Sequence, residues 1–98
     1  MEDIKLTVKS YDVWQVDDAE GEVMPTGIVE EADHVFVGEK EITKALNDFA
    51  PDGFEGGEVY IPRHVIISWQ GKDVECEIEG IKTDYADLKK IWEQKTSV

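Results

Sequence analysis

Apolar and polar residues alternate most clearly between His64 and Glu79, where two strand-like runs flank a glycine. Both runs are rich in β-branched and aromatic residues, and Gly71 suits a tight turn between them. A turn at Gly71-Lys72 gives one apolar face, with the pairs Trp69–Val74, Ile67–Cys76 and Val65–Ile78. The other face then pairs Ser68–Glu75, Ile66–Glu77 and His64–Glu79. A slip of one residue would mix these faces, so the pattern predicts a central hairpin with one buried side.

The same alternation predicts further strands before this hairpin. Ile4, Leu6 and Val8 share one side of a strand at Asp3–Lys9, and an offset run follows at Tyr11–Val16. The offset predicts a bulge near Ser10. We expect short strands at Glu22–Met24, His34–Val37 and Glu58–Ile61, interruptions at Pro25 and Pro62, and an irregular acidic stretch from Thr26 to Asp33.

Two stretches have helical periodicity instead. In Glu39–Phe49 the apolar positions are Ile42, Ala45, Leu46 and Phe49. In Thr83–Gln94 they are Tyr85, Leu88, Ile91 and Trp92, and Thr83 or Asp84 can cap the N-terminus. The order strands, helix, strands, helix predicts an α+β fold, in which both helices pack on one face of a small antiparallel or mixed sheet. At 98 residues we expect residues 1–98 to form a single domain.

The net charge is the feature of the composition that bears most on the predicted partners. The net charge is −13, and residues 1–62 hold 16 acidic against 4 basic residues while residues 63–98 hold 7 against 6. A folded domain with this charge repels itself and also repels other polyanions. Direct binding to nucleic acid or to an anionic membrane is therefore disfavoured, because both need a cationic surface. A basic protein partner is favoured, and the alternative is that the acid serves solubility alone.

The remaining composition points to the cytoplasm. Cys76 is the single cysteine, so no internal disulfide forms, which suits a reducing compartment. The N-terminus lacks the basic patch and apolar block of a signal peptide. No apolar run approaches the roughly 20 residues of a membrane span. We expect a cytoplasmic protein, in the host cell if it is encoded by a phage.

The sequence offers little support for an enzyme. The predicted register puts Cys76 and His64 on opposite faces, so they do not form a nucleophile–base pair. Asp18, Glu20 and Glu22 alternate like a calcium loop, but Val23 and Val29 stand where that loop needs glycine and glutamate. Glycine-rich phosphate loops and zinc spacings are also missing. We therefore expect no catalytic residues, no metal and no cofactor.

The candidate binding residues are acidic, with one aromatic exception. Glu75, Glu77 and Glu79 would form an anionic row about 6.7 Å apart on the open hairpin face, although a solvated strand face shows the same pattern. Phe54 is either an apolar contact for a basic partner or an anchor for its own glycine-rich loop. The full set is Asp17, Asp18, Glu20, Glu22, Glu30, Glu31, Asp33, Phe54, Glu75, Glu77 and Glu79.

These features predict a small acidic inhibitor or binding protein, which presents carboxylates where a nucleic-acid enzyme expects phosphates. Phage-encoded DNA mimics that block host nucleases, restriction enzymes (anti-restriction) or CRISPR complexes (anti-CRISPR) act in this way, as do immunity proteins against nuclease toxins. The analogy rests on charge and size and not on a motif. The alternative is a non-enzymatic structural or scaffold module, such as a phage accessory protein, that is acidic only for solubility.

Overall fold

The computed structural model describes residues 3–17, 22–47, 58–80 and 82–97, with the side chains of residues 16, 17, 22 and 23 left out. Its four strands are β1 (Lys5–Asp17), β2 (Glu22–Val37), β3 (Glu58–Trp69) and β4 (Lys72–Glu77). They form one antiparallel sheet in the order β2-β1-β3-β4. Its two helices are α1 (Glu39–Asn47) and α2 (Tyr85–Thr96). This arrangement confirms the predicted α+β class with a small antiparallel sheet.

Both helices cover the same face of the sheet. The buried residues of α1 are Ile42 and Leu46, and those of α2 are Leu88 and Trp92. They join one cluster with the inward side chains of the strands: Leu6, Val8, Val65, Ile67 and Val74. Full burial of each aliphatic side chain is worth about 1.5–3 kcal/mol, so this cluster holds the helices on the sheet. Neither described helix is long and apolar enough to cross a membrane.

The first three strands are longer than predicted. β2 continues through Pro25 and through residues 26–33, and β3 continues through Pro62, so the predicted interruptions are wrong. Pro25 is tolerated because β2 is an edge strand, and Pro62 because the β1–β3 pairing shifts register between Ser10 and Tyr11. The expected bulge near Ser10 is confirmed by register shifts between Val8 and Ser10 in both pairings of β1.

The hairpin of β3 and β4 turns one residue earlier than predicted. Gln70 and Gly71 form the loop, with φ values of 49° and 75°. Positive φ at both central residues is the requirement of a type I′ turn, whose twist matches the flanking strands. The observed pairs include Ile67–Val74, Val65–Cys76 and Ile66–Glu75. Because this register differs from the predicted one by two residues, every side chain keeps its predicted face, but His64 stands opposite Glu77 and not Glu79.

Acidic residues stand at the N-terminal ends of both helices. α1 begins at Glu39 as predicted, and the predicted end at Phe49 lies outside the described residues. Asp84 caps α2: its side chain accepts a hydrogen bond from the Asp87 N–H, while the Asp87 side chain accepts one from the Asp84 N–H. The reciprocal arrangement is a capping box, and it starts the helix at Tyr85.

Candidate partner-binding surface

β2 lies at an edge of the sheet, so the N–H and C=O groups of every second residue point away from β1. The Gly38 N–H donates to the Ile4 carbonyl at 2.9 Å, which continues the β1–β2 ladder. The Val37 N–H instead donates to the Glu41 carboxylate, also at 2.9 Å. In an antiparallel pair the backbone groups alternate between facing the partner and facing away. The N–H and C=O of Val35 therefore point outward, where the described part of the chain supplies no further strand.

The same strand exposes apolar side chains. Val35 and Val37 are 51% and 46% exposed. They stand opposite Thr7 and Lys5, on the face that the helices leave open. Throughout the described ranges, the exposed large hydrophobic side chains lie on β2: Met24, Ile28, Val29, Val35 and Val37. Scattered exposed apolar residues are ordinary, but their concentration on one sheet edge is characteristic of an interaction surface.

Three predicted site residues meet on this strand. Glu30, Glu31 and Asp33 are all exposed, and we call them the β2 acidic cluster. Asp33 lies 3.4 Å from the Lys9 ammonium, in an exposed ion pair of the kind that contributes at most about 1 kcal/mol. Glu30 and Glu31 have no ion-pair partner among the described residues. The cluster therefore presents a largely uncompensated negative charge beside the exposed valines.

Behind the cluster, a groove of about 680 Å³ lies between β2 and α1. Its aromatic lining is Tyr11, His34, Phe36 and Tyr60, and we call it the aromatic groove. The Tyr11 hydroxyl and the His34 Nδ1 are hydrogen-bonded at 2.9 Å, and the Tyr11 and Tyr60 rings meet edge to face at 6.3 Å. Glu30, Glu31 and Glu41 also line the groove, together with Lys44.

The acid around this groove affects its tyrosines. The Tyr60 hydroxyl donates a hydrogen bond to Glu58, and this bond raises the pKa of Tyr60, with further contributions from the negative charge of Glu30 and Glu58. Burial raises the pKa of Tyr11. Both tyrosines are therefore neutral hydrogen-bonding aromatic groups at physiological pH. The carboxylates that raise the pKa of Tyr60 also favour cations over anions at this groove.

The opposite edge of the sheet, β4, holds the second predicted set. Glu75 and Glu77 share its open face with Asp73, and we call these three the β4 carboxylate row. The predicted third member, Glu79, lies beyond the end of β4 and forms an ion pair with Lys82 at 3.4 Å. The His64 Nε2 and the Glu75 Oε1 are hydrogen-bonded at 2.8 Å.

The structure brings the predicted residues together only in part. Two strands separate the β2 acidic cluster from the β4 carboxylate row. Asp17 and Glu22 stand opposite each other at the far end of the β1–β2 pairing. Asp18, Glu20 and Phe54 lie outside the described residues. The groove residues were missed, because Tyr11, His34 and Tyr60 come from three separate strands and only the pairing register joins them.

The chain's own cations neutralise few of these acids. All lysines and the single arginine fall within the described ranges. Among those ranges, Lys9, Arg63 and Lys82 form ion pairs, with Asp33, Asp12 and Glu79 respectively. Lys89 lies over the rings of Trp69 and Tyr85, at 5.6 and 5.3 Å from their centroids. The acidic surface therefore remains available to the cations of another molecule.

The groups that could perform covalent or metal chemistry lie apart. Cys76 stands opposite Val65 on the core face, and burial raises the pKa of its thiol while Lys95 opposes that effect. His64 lies on the other face, beside Glu75. No group of three or more metal-ligating side chains occurs within residues 3–17, 22–47, 58–80 and 82–97. No protein-family model matches this chain, and no curated protein or solved structure is significantly similar to it.

Proposed function

We propose that this chain is a small non-enzymatic binding protein that docks the β2 edge onto a basic, nucleic-acid-binding surface of a partner protein and blocks it. One observation carries this proposal: uncompensated carboxylates and exposed apolar side chains lie on the same strand edge. Carboxylates of the β2 acidic cluster would take positions that nucleic-acid phosphates otherwise occupy. Val35 and Val37 would supply contact area at short range.

The two components have different physical roles. A net charge of −13 accelerates encounter with a cationic surface, and salt screens that attraction over a Debye length of about 10 Å at 0.1 M. Charge complementarity mainly sets association rate and selectivity, whereas buried apolar and aromatic contacts slow dissociation. A partner with a basic surface would thus bind rapidly and in a salt-sensitive manner.

A second candidate function is a scaffold module that assembles with copies of itself. The exposed apolar residues of β2 favour it, since such strand edges also support self-association. The charges oppose it, because β2 contains no lysine or arginine and a second copy would add more negative charge to this edge without a compensating cation. We therefore place self-assembly second.

The proposal is tested with two matched triple variants. One neutralises the β2 acidic cluster (Glu30→Gln, Glu31→Gln, Asp33→Asn), and the other neutralises the β4 carboxylate row (Asp73→Asn, Glu75→Gln, Glu77→Gln). Each removes three charges and leaves side-chain volume almost unchanged. The immobilised proteins are offered the heparin-binding fraction of a bacterial lysate at roughly 50 and 200 mM salt, with and without duplex DNA as competitor.

We expect the wild type and the β4 variant to retain the same basic protein at low salt, and we expect DNA or higher salt to release it. The β2 variant should lose at least about 90% of the captured protein, a tenfold weakening that corresponds to about 1.4 kcal/mol. Equal losses in both variants would show that net charge alone matters. Capture of a protein that neither higher salt nor DNA releases would overturn the proposal.

A further inference from the structure

The outward edge of β2 has room for one more strand. The N–H and C=O of Val35 point away from β1, and β2 pairs regularly with β1 from His34 to Val37. An extended segment beside an exposed edge gains main-chain hydrogen bonds, and side chains of alternate residues then give specificity. At the C-terminal end of β2 the Val37 N–H already donates to the Glu41 carboxylate. A new strand would therefore form its main-chain hydrogen bonds with Val35.

The two faces of this edge call for different side chains. Val35 and Val37 lie on the open face and would be covered best by apolar residues. His34 and Phe36 lie on the helix face, because they stand opposite Val8 and Leu6 of the core. Residues of an added strand that point to this face would lie over the aromatic groove, among Glu30, Glu31 and Glu41. Cationic residues fit there, through charge and through contact with aromatic rings.

Charge complementarity also indicates whether a second copy or another protein would pair with the β2 edge. A second copy pairing through β2 would add no cation to this edge, since β2 has none. Pairing through β4 would bring the β4 carboxylate row against the β2 acidic cluster. Like charges directly opposite each other destabilise a strand pair. A basic strand from another protein avoids both conflicts.

We infer that β2 binds an extended segment of its partner, which alternates basic and apolar residues and adds to the sheet beside Val35 as a fifth strand. The inference rests on the proposed function and specifies its binding mode. Basic side chains of the segment enter the aromatic groove, and apolar side chains cover Val35 and Val37.

The test uses short synthetic peptides and the whole protein. One peptide alternates lysine and valine, a second has the same sequence with alternate backbone nitrogens methylated, and a third replaces lysine by glutamate. Binding is followed by NMR of the isotope-labelled protein. We expect the first peptide to shift the Val35 amide signal and slow its hydrogen exchange at least about tenfold. The methylated peptide should bind at least about tenfold more weakly, and the glutamate peptide should not bind.

Val35→Pro supplies the complementary change in the protein. The N–H of Val35 points away from β1, so proline at this position leaves the β1–β2 ladder intact and removes one hydrogen bond to the added strand. We expect a loss of peptide affinity of at least about tenfold. If this variant misfolds, the methylated peptide still decides the question with wild-type protein.

The outcomes separate the binding mode from the function. Equal affinity for the methylated and unmethylated peptides would overturn strand addition, while salt-sensitive capture of a basic protein would still support the proposed function. Dimerisation of the wild type that Val35→Pro abolishes would overturn the inference in favour of a second copy. Loss of salt-sensitive capture together with failure of all peptides would refute the function and the mode together.

Discussion

Each edge of the sheet carries a set of three exposed carboxylates, but the two edge strands differ in length and in apolar exposure. β4 has six residues and β2 has sixteen. At β4, Val74 is only 7% exposed, and the Trp92 indole N–H donates to the Lys72 carbonyl at 3.1 Å. At β2, Val35 is 51% exposed, and the described residues place no strand beyond it.

This difference indicates which acidic edge is the better candidate for the proposed binding surface. Short, charged edge strands whose apolar residues face the core are a common protection against unwanted pairing, and β4 fits that description. β2 combines three neighbouring carboxylates with apolar side chains that the chain does not cover within its described ranges. Acidic residues alone therefore do not distinguish the two edges, whereas acidic residues beside uncovered apolar surface make β2 the candidate.

The largest contrast should come from one substitution made at both edges. Valine and threonine have nearly the same shape, so Val→Thr tests burial alone. Val74→Thr places a hydroxyl in the core and should lower the free energy of unfolding by about 1–3 kcal/mol. Val35→Thr should change it by less than about 0.5 kcal/mol. Urea unfolding measures both, and equal effects would mean that β2 is covered in solution.

A smaller contrast should separate a protected hydrogen bond from an exposed one. Trp92→Phe leaves the Lys72 carbonyl without its indole donor, at an expected cost of about 0.5–1.5 kcal/mol, and the smaller buried ring adds a packing loss to that cost. Tyr60→Phe removes the exposed bond to Glu58 and should cost less. Thermal unfolding of both variants tests the order, and a larger loss for Tyr60→Phe would contradict it.

Removing one negative charge should change the free energy of unfolding in opposite directions at the two edges. Glu30→Gln relieves repulsion in the β2 acidic cluster and should raise the free energy of unfolding by a few tenths of a kcal/mol. Glu75→Gln weakens the contact with His64 and should lower that free energy by at most about 1 kcal/mol. Urea unfolding at low salt measures both changes, and high salt should diminish them. Changes of the same sign would remove this distinction between the edges.

The weakest effect should be a pH dependence on the β2 side. Burial raises the pKa of Tyr11 above its ordinary value of 10.0, so the folded protein holds this proton more tightly than the unfolded chain. The resulting stability is complete below pH 10.0 and is lost as the pH rises through the folded-state pKa. Tyr11→Phe should reduce the alkaline slope of the unfolding free energy. An unchanged slope would show that other groups cause it.

Much of the fold could be predicted from side-chain periodicity. The alternation of Ile4, Leu6 and Val8, the apolar face of the hairpin and the helical stripe around Ile42 each report burial on one side. β2 could not be predicted in full, because the residues from Pro25 to Asp33 have no clean alternation. Pairing with β1 extends the strand through them: the Thr26 hydroxyl, for instance, donates to the Val13 carbonyl at 2.8 Å near a register shift.

The candidate site was less accessible to prediction. The acidity of Glu30, Glu31 and Asp33 is visible in the sequence, but their position on an open edge depends on strand order. The predicted row on β4 contains Glu79 in place of Asp73, because the predicted turn lies one residue too late in the chain. The aromatic groove joins side chains of three strands, and the sequence offset near Ser10 predicts a bulge but not how β1 pairs with β2 and β3.

The hydrogen bond from the Val37 N–H to Glu41 has a consequence for aggregation. A long strand edge with uncovered valines is a template for fibrils, and this carboxylate occupies one outward donor at its end while the neighbouring acids repel incoming copies. High salt screens the repulsion between these acids and weakens this protection. Fibril formation should then begin at β2, and thioflavin fluorescence should rise later for Val35→Pro than for the wild type.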